Sequence, residues 1–111
     1  MPTPQFRIKL YSDGADFKSM QAMNDNPLVS GMTTNPTLMK KSGITDYRGF
    51  AKQVLAAVTK KPVSLEVFSD DVDEMERQAN EIATWGGNVY VKIPVTNSKG
   101  VSTLDLVKKL T

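Results

Sequence analysis

Hydrophobic residues recur along this chain with two periods, and the period switches at regular intervals. From residue 6 to 13 the chain alternates, with Phe6, Ile8 and Leu10 on one face and Lys9, Tyr11 and Asp13 on the other. A period of two predicts a strand, and Gly14 breaks it. Over residues 16–24, Phe17, Met20 and Met23 recur every third position, which predicts a helix that the Asn24-Asp25-Asn26-Pro27 cluster stops. Residues 28–34 predict a second strand, ending in Thr33-Thr34-Asn35-Pro36. Pro36 disfavours helix at Asn35 and suits the first turn of a helix after it. A short helical piece over residues 38–41 ends near Gly43. A clearer helix over residues 46–59 puts Tyr47, Phe50, Ala51, Val54 and Val58 on one face.

Lys60-Lys61-Pro62 ends that helix, and residues 63–68 predict a third strand. There Val63, Leu65 and Val67 face one way, Ser64 and Glu66 the other. Ser69-Asp70-Asp71 opens a further helix whose apolar stripe is Val72, Met75, Ala79, Ile82 and Ala83; acidic residues crowd its first turn, as the helix dipole favours. Gly86-Gly87 turns the chain into a fourth strand over residues 88–96. Val89, Val91, Ile93 and Val95 share one face; Asn88, Tyr90 and Lys92 share the other. Ser102-Thr103-Leu104-Asp105 reads as a capping box before a last short helix. Strand and helix thus alternate four times in units near the ~30 residues of a β-α-β element, which predicts right-handed crossovers around a parallel sheet. No linker divides the chain, so residues 1–111 are expected to form one domain.

Composition narrows the chemistry more than the fold. The 111 residues carry 14 basic and 12 acidic side chains, a net charge of +2, with no basic run that would suit nucleic acid or a membrane surface. No apolar segment approaches the ~20 residues of a membrane span. Met1-Pro2-Thr3-Pro4-Gln5 lacks the character of a signal peptide, so a cytoplasmic location is expected. There is no cysteine and no histidine. That excludes disulfides, thiol nucleophiles, the usual zinc sites and Ser-His or Cys-His catalysis. Acid–base work falls to Asp, Glu, Lys, Tyr or water.

Lys92 is the notable residue in that light. An ammonium inside a strand suits a face that lines a polar cavity; the alternative is a lysine snorkelling from an edge strand. At pH 7 an ordinary lysine is neutral only about once in 2,500 molecules. Desolvation favours the neutral amine, which attacks carbonyls. Bringing its pKa from about 10.4 to near 8 requires ~3 kcal/mol of such destabilisation. Asp13, Asn35 and Glu66 lie at or near the C-terminal ends of the other three strands, where parallel α/β folds bind ligands. Singly, Asp13 also reads as a turn residue, Asn35 as a helix cap and Glu66 as an ion-pair partner for a lysine. Together the four suit carbonyl chemistry by an amine, with carboxylates moving protons.

Thr33-Thr34-Asn35-Pro36-Thr37-Leu38 and Val91-Lys92-Ile93-Pro94-Val95-Thr96 resemble the two most characteristic stretches of the transaldolases. Tyr11-Ser12-Asp13 and Leu65-Glu66-Val67 fit that family's first and third strands. The nearest likeness is to the short group that includes fructose-6-phosphate aldolase. The resemblance implies a (β/α)8 TIM barrel, of which this chain would supply a parallel (β/α)4 half. Because four parallel strands alone leave two edges unpaired after a whole strand-helix unit, a second copy is one expected way to complete it, as a homo-oligomer. It implies Schiff-base aldol chemistry in the pentose phosphate pathway without metal or cofactor. Lys92 would form the imine with C2 of a ketose phosphate, Asp13 would take the C4 hydroxyl proton, and Glu66 would act through a water. Asn35 and Thr33 would hold the dihydroxyacetone moiety. Fructose 6-phosphate, sedoheptulose 7-phosphate, erythrose 4-phosphate and glyceraldehyde 3-phosphate would be the substrates. The aldolase subgroup tends to carry Gln at the position of Glu66, which favours the transferase. The resemblance places the phosphate-binding residues in the second half of such a barrel, so a simple aldolase and an inactive half barrel that only folds or self-associates remain alternatives.

Overall fold

The computed structural model describes residues 6–111; the first five, read above for a signal peptide, lie outside the described residues. Along the chain come β1 (Tyr11–Asp13), α1 (Phe17–Met23), β2 (Gly31–Thr34), α2 (Pro36–Lys41), α3 (Tyr47–Ala57), β3 (Val63–Glu66), α4 (Val72–Ile82), β4 (Val89–Lys92) and α5 (Leu104–Leu110). The four strands form one sheet in the order β1-β2-β3-β4, and every neighbouring pair is parallel. The alternating periods predict parallel β-α-β units, and their sequential order here is the (β/α)4 half barrel that the resemblance implies.

The period of two sorts side chains between the two faces of this sheet. Met32 pairs with Val63, and Thr34 and Val91 both pair with Leu65, on the face covered by helices. Met32, Val63 and Leu65 are fully buried there, against Val54 and Val58 of the α3 region, Met75 and Ile82 of α4, and Leu106 of α5. Each large apolar side chain so buried contributes about 1.5–3 kcal/mol. The opposite face carries Tyr11, Asp13, Thr33, Ser64, Glu66, Tyr90 and Lys92. Among the described residues no helix covers it, and Tyr11 and Tyr90 stand 48% and 64% exposed. In a closed barrel this face would line the interior.

Local signals set the helix ends. Asn35, Asp46 and Asp71 cap α2, α3 and α4, each accepting a hydrogen bond from the backbone N–H three residues on. The helix α2 ends in a Schellman turn: Gly43 N–H donates to Lys40 O and Ile44 N–H to Met39 O, with Gly43 at φ 78°. At the N-terminal rim of the sheet, Asn88 Nδ2 donates to Val58 O and Lys61 O, both at 2.8 Å. Lys61 Nζ donates to Met23 O at 2.7 Å and to Asn26 O, which satisfies carbonyls left open beyond the end of α1. Among the described residues no helix is long and apolar enough to cross a membrane.

Three sequence expectations are corrected. The first strand is short: residues 6–10 lie outside it, with Phe6 and Ile8 exposed. An edge strand has a hydrogen-bonding neighbour on one side only, so alternation alone does not hold it extended. Likewise β2, β3 and β4 are each four residues, shorter than the apolar runs that contain them. The capping box at Ser102 does not form. Thr103 holds the N-cap position, is buried, and its hydroxyl donates toward the carbonyls of Pro94 and Val95 instead; Ser102 Oγ accepts from Leu104 N at 3.2 Å.

Candidate active site

Glu66 and Lys92 end their strands in direct register on the uncovered face. Lys92 Nζ donates to Thr33 Oγ1 at 3.0 Å and lies 3.9 Å from Glu66 Oε2. The second distance is an ion-pair contact beyond hydrogen-bonding range. Glu66 is thus an ion-pair partner of a lysine, one of the readings that the sequence offers for it. The Lys92 side chain is 40% exposed and that of Glu66 24%. The amine is therefore only partly withdrawn from water, and its open side faces the space that a closed barrel would enclose.

The third strand is held from behind at this point. Tyr47, from the first turn of α3, donates its hydroxyl to the backbone carbonyl of Glu66. Its ring packs 5.3 Å from Phe68 and 5.9 Å from Trp85, centroid to centroid. Burial, aided by the Glu66 charge, pushes the Tyr47 phenol well above its ordinary range, so it stays a donor through the physiological range. Sequence reasoning left Tyr47 among core-packing residues. The available signal was its type: a buried tyrosine hydroxyl needs a partner.

Asn35 is placed at the mouth of β2 as the cap of α2, its Oδ1 accepting from Leu38 N at 2.9 Å. The extended backbone at Asn35, with Pro36 opening the helix, is what the Asn-Pro pair dictates. The cap uses the amide oxygen and leaves the NH2 group directed elsewhere. Asp13 ends β1, exposed, in register with Thr33. Three strand spacings of about 4.8 Å separate β1 from β4 along the sheet. The structure therefore brings Lys92, Glu66 and Thr33 into contact, sets Asn35 one strand from Glu66, and does not bring Asp13 against the amine.

One acidic residue outside the expected set also shapes this end. Asp70 accepts from Ser98 N at 2.7 Å and Ser98 Oγ at 2.5 Å, while Asn97 Nδ2 donates to Asp70 O. The loop after β4 is thereby pinned to the start of α4. The Ser98 hydroxyl and backbone N–H hold the Asp70 carboxyl below the usual carboxylate range.

An amine at the C-terminal ends of parallel strands, with a hydroxyl and a carboxylate beside it, can add to a carbonyl and exchange protons with its neighbours. Comparison with known proteins identifies the family. The family described as Transaldolase/Fructose-6-phosphate aldolase matches residues 10–111. A probable transaldolase of Dehalococcoides mccartyi is 39% identical over 93% of this chain and 46% of its own length. Another from Maridesulfovibrio salexigens is 37% identical over 92% of this chain and 47% of its own length. The chain spans about half the length of the curated relatives it matches. With four parallel strands carrying the lysine and its partners on one face, and a family match that runs from β1 to the last residue, the chain belongs to the transaldolase/fructose-6-phosphate aldolase family.

Proposed function

We propose that Lys92 acts as the Schiff-base lysine of a transaldolase. The observation that carries this reading is the amine of Lys92, 3.0 Å from Thr33 Oγ1 and 3.9 Å from Glu66 Oε2 at the C-terminal end of the sheet. The neutral amine adds to C2 of a ketose phosphate such as fructose 6-phosphate, and the carbinolamine loses water to give the imine. Asp13 accepts the proton of the C4 hydroxyl as the C3–C4 bond breaks. Glyceraldehyde 3-phosphate leaves, and the bonding pair stays on the lysine-bound dihydroxyacetone unit as an enamine. The enamine attacks the aldehyde of erythrose 4-phosphate, and hydrolysis of the new imine releases sedoheptulose 7-phosphate and the free lysine. Glu66 exchanges protons around the carbinolamine through a water. Asn35 and Thr33 hold the hydroxyls of the dihydroxyacetone unit. On this reading the chain serves the pentose phosphate pathway in the cytoplasm.

Glu66 in place of a glutamine supports transfer over simple cleavage. The test supplies fructose 6-phosphate with and without erythrose 4-phosphate. A transaldolase forms sedoheptulose 7-phosphate and needs the acceptor for turnover. Release of free dihydroxyacetone without the acceptor would assign an aldolase instead.

A further inference from the structure

Pro36 removes a rung from the ladder between β2 and β3 at the level of the site. Val63 N–H donates to Asn88 O at 2.9 Å and Val67 N–H to Lys92 O at 3.2 Å, so the odd-numbered residues of β3 turn their backbone groups toward β4. The even-numbered ones turn toward β2, where Met32 N–H donates to Pro62 O at 3.0 Å. Met32 is level with Val63 and Thr34 with Leu65. Each step of two carries the pattern on, and the donor due at the Glu66 carbonyl is the N–H of residue 36. Proline has none. The pairing of β2 with β3 stops at Thr34 and Leu65, and just beyond it lies a cleft of about 240 Å³ with Pro36, Thr37, Glu66 and Phe68 in its lining.

An unpaired carbonyl there would leave the peptide between Glu66 and Val67 tied to β4 alone. Instead the Tyr47 hydroxyl donates to it. That hydroxyl is itself well held: it comes from the first turn of α3, which Asp46 caps, and its ring packs on Phe68 and Trp85.

We propose that Tyr47 is the positioning residue for Glu66: its hydroxyl stands in for the N–H that Pro36 lacks and fixes the strand end from which the carboxylate faces Lys92. The 3.9 Å between Glu66 Oε2 and Lys92 Nζ is too long for a hydrogen bond, so the backbones of β3 and β4, not a bond within the pair, set it. With Val67 N–H on Lys92 O to one side and Tyr47 on Glu66 O to the other, the peptide after Glu66 is anchored on both flanks. Tyr47 acts through Glu66 and not on the substrate. This inference rests on the reading of Glu66 as the carboxylate that serves Lys92.

A double-mutant cycle tests it. The rate of borohydride-trapped adduct formation with fructose 6-phosphate is compared in the unsubstituted chain, Tyr47→Phe, Glu66→Gln and the double variant, with circular dichroism checking that each is folded. The net worth of a neutral hydrogen bond corresponds to a factor of roughly two- to tenfold in population. Tyr47→Phe should therefore slow trapping about two- to tenfold in the native background and by less than about twofold in the Glu66→Gln background. Equal slowing in both backgrounds, or none in either, would overturn the proposal. Nuclear Overhauser contacts between the Glu66 γ and Lys92 ε protons read the same positioning without catalysis. They should be present in the unsubstituted chain and weaken severalfold in Tyr47→Phe, while those between the paired Leu65 and Val91 persist. Their absence from the unsubstituted chain, or full retention in the variant, would also overturn it. An unsubstituted chain that shows these contacts and forms no adduct would remove the Schiff-base reading, and the contacts in Tyr47→Phe would then decide the positioning alone.

Discussion

Lys92 is held by a hydroxyl and faced by a carboxylate, and the two contacts differ in kind. The Thr33 hydroxyl accepts directly from the ammonium at 3.0 Å, whereas Glu66 stands off at 3.9 Å. A hydrogen bond to a buried charged group contributes about 1.5–3 kcal/mol; for an amine 40% exposed, solvent reduces this to roughly 0.5–1 kcal/mol. Thr33→Val keeps the shape and removes the acceptor. Because the lost bond favours the ammonium over the nucleophilic amine, reductive trapping of a small hydroxyl-free ketone at Lys92 should quicken about two- to fivefold, with thermal stability lowered by no more than that bond; an unaltered trapping rate would count against Thr33 as the lysine's partner. Tyr47→Phe keeps the ring stack with Phe68 and Trp85 but leaves the Glu66 carbonyl without its donor. The urea midpoint should fall by the equivalent of about 1 kcal/mol with the slope preserved. No shift would mean the bond contributes nothing in solution. At this scale the sequence made the residue types legible. Lys92 and Glu66 stood out because charged groups inside apolar strands need a reason. Which atoms meet was not legible, because the Thr33 contact and the Tyr47 hydroxyl depend on neighbours 59 and 19 residues away along the chain.

Element boundaries follow local chemistry wherever proline, glycine or a capping side chain is present. The cap of α3 gives a coupled test. A Cβ added at Gly49 would lie 2.3 Å from the Asp46 carboxylate, which must then leave its capping position. Losing the cap costs about 1 kcal/mol, and replacing a helical glycine with alanine returns up to ~1 kcal/mol. Gly49→Ala should therefore be close to neutral alone, yet stabilising by about 0.5–1 kcal/mol in an Asp46→Ala background. Equal effects in both backgrounds, measured by thermal denaturation, would contradict the cap geometry. The loop after β4 gives a pH test. The Asp70 carboxyl is held below its ordinary range by Ser98, so the pinned loop persists at neutral pH. That contribution is full above the ordinary carboxylate value of about 3.9 and is lost as pH falls through the lowered folded value. Amide exchange of residues 97–101, corrected for intrinsic rate, should rise on acidification. In Asp70→Asn it should be fast at every pH, and retained protection there would exclude the pin. The shortened first strand and the unused capping box mark the limit of periodic reading. Alternation registers which face a residue would take, whereas pairing partners decide whether the strand forms.

The whole molecule is a half shell with a packed outer face and an open inner one. Its helices bury the aliphatic rows of the strands, and the polar rows that carry Glu66 and Lys92 look into space that four further strands would enclose. The parallel α/β class was legible because each strand-helix unit repeats the same two periods, and the half-barrel order because two motifs carry the family resemblance. The degree to which the amine is shielded was not, since it depends on what pairs with β1 and β4. Covalent chemistry at Lys92 is tested most directly by incubating the chain with fructose 6-phosphate, reducing with borohydride and locating the added mass by peptide mapping. The expected result is a single reduced dihydroxyacetone adduct on Lys92, absent from Lys92→Met. Labelling at another lysine, or none in a folded sample, would contradict it.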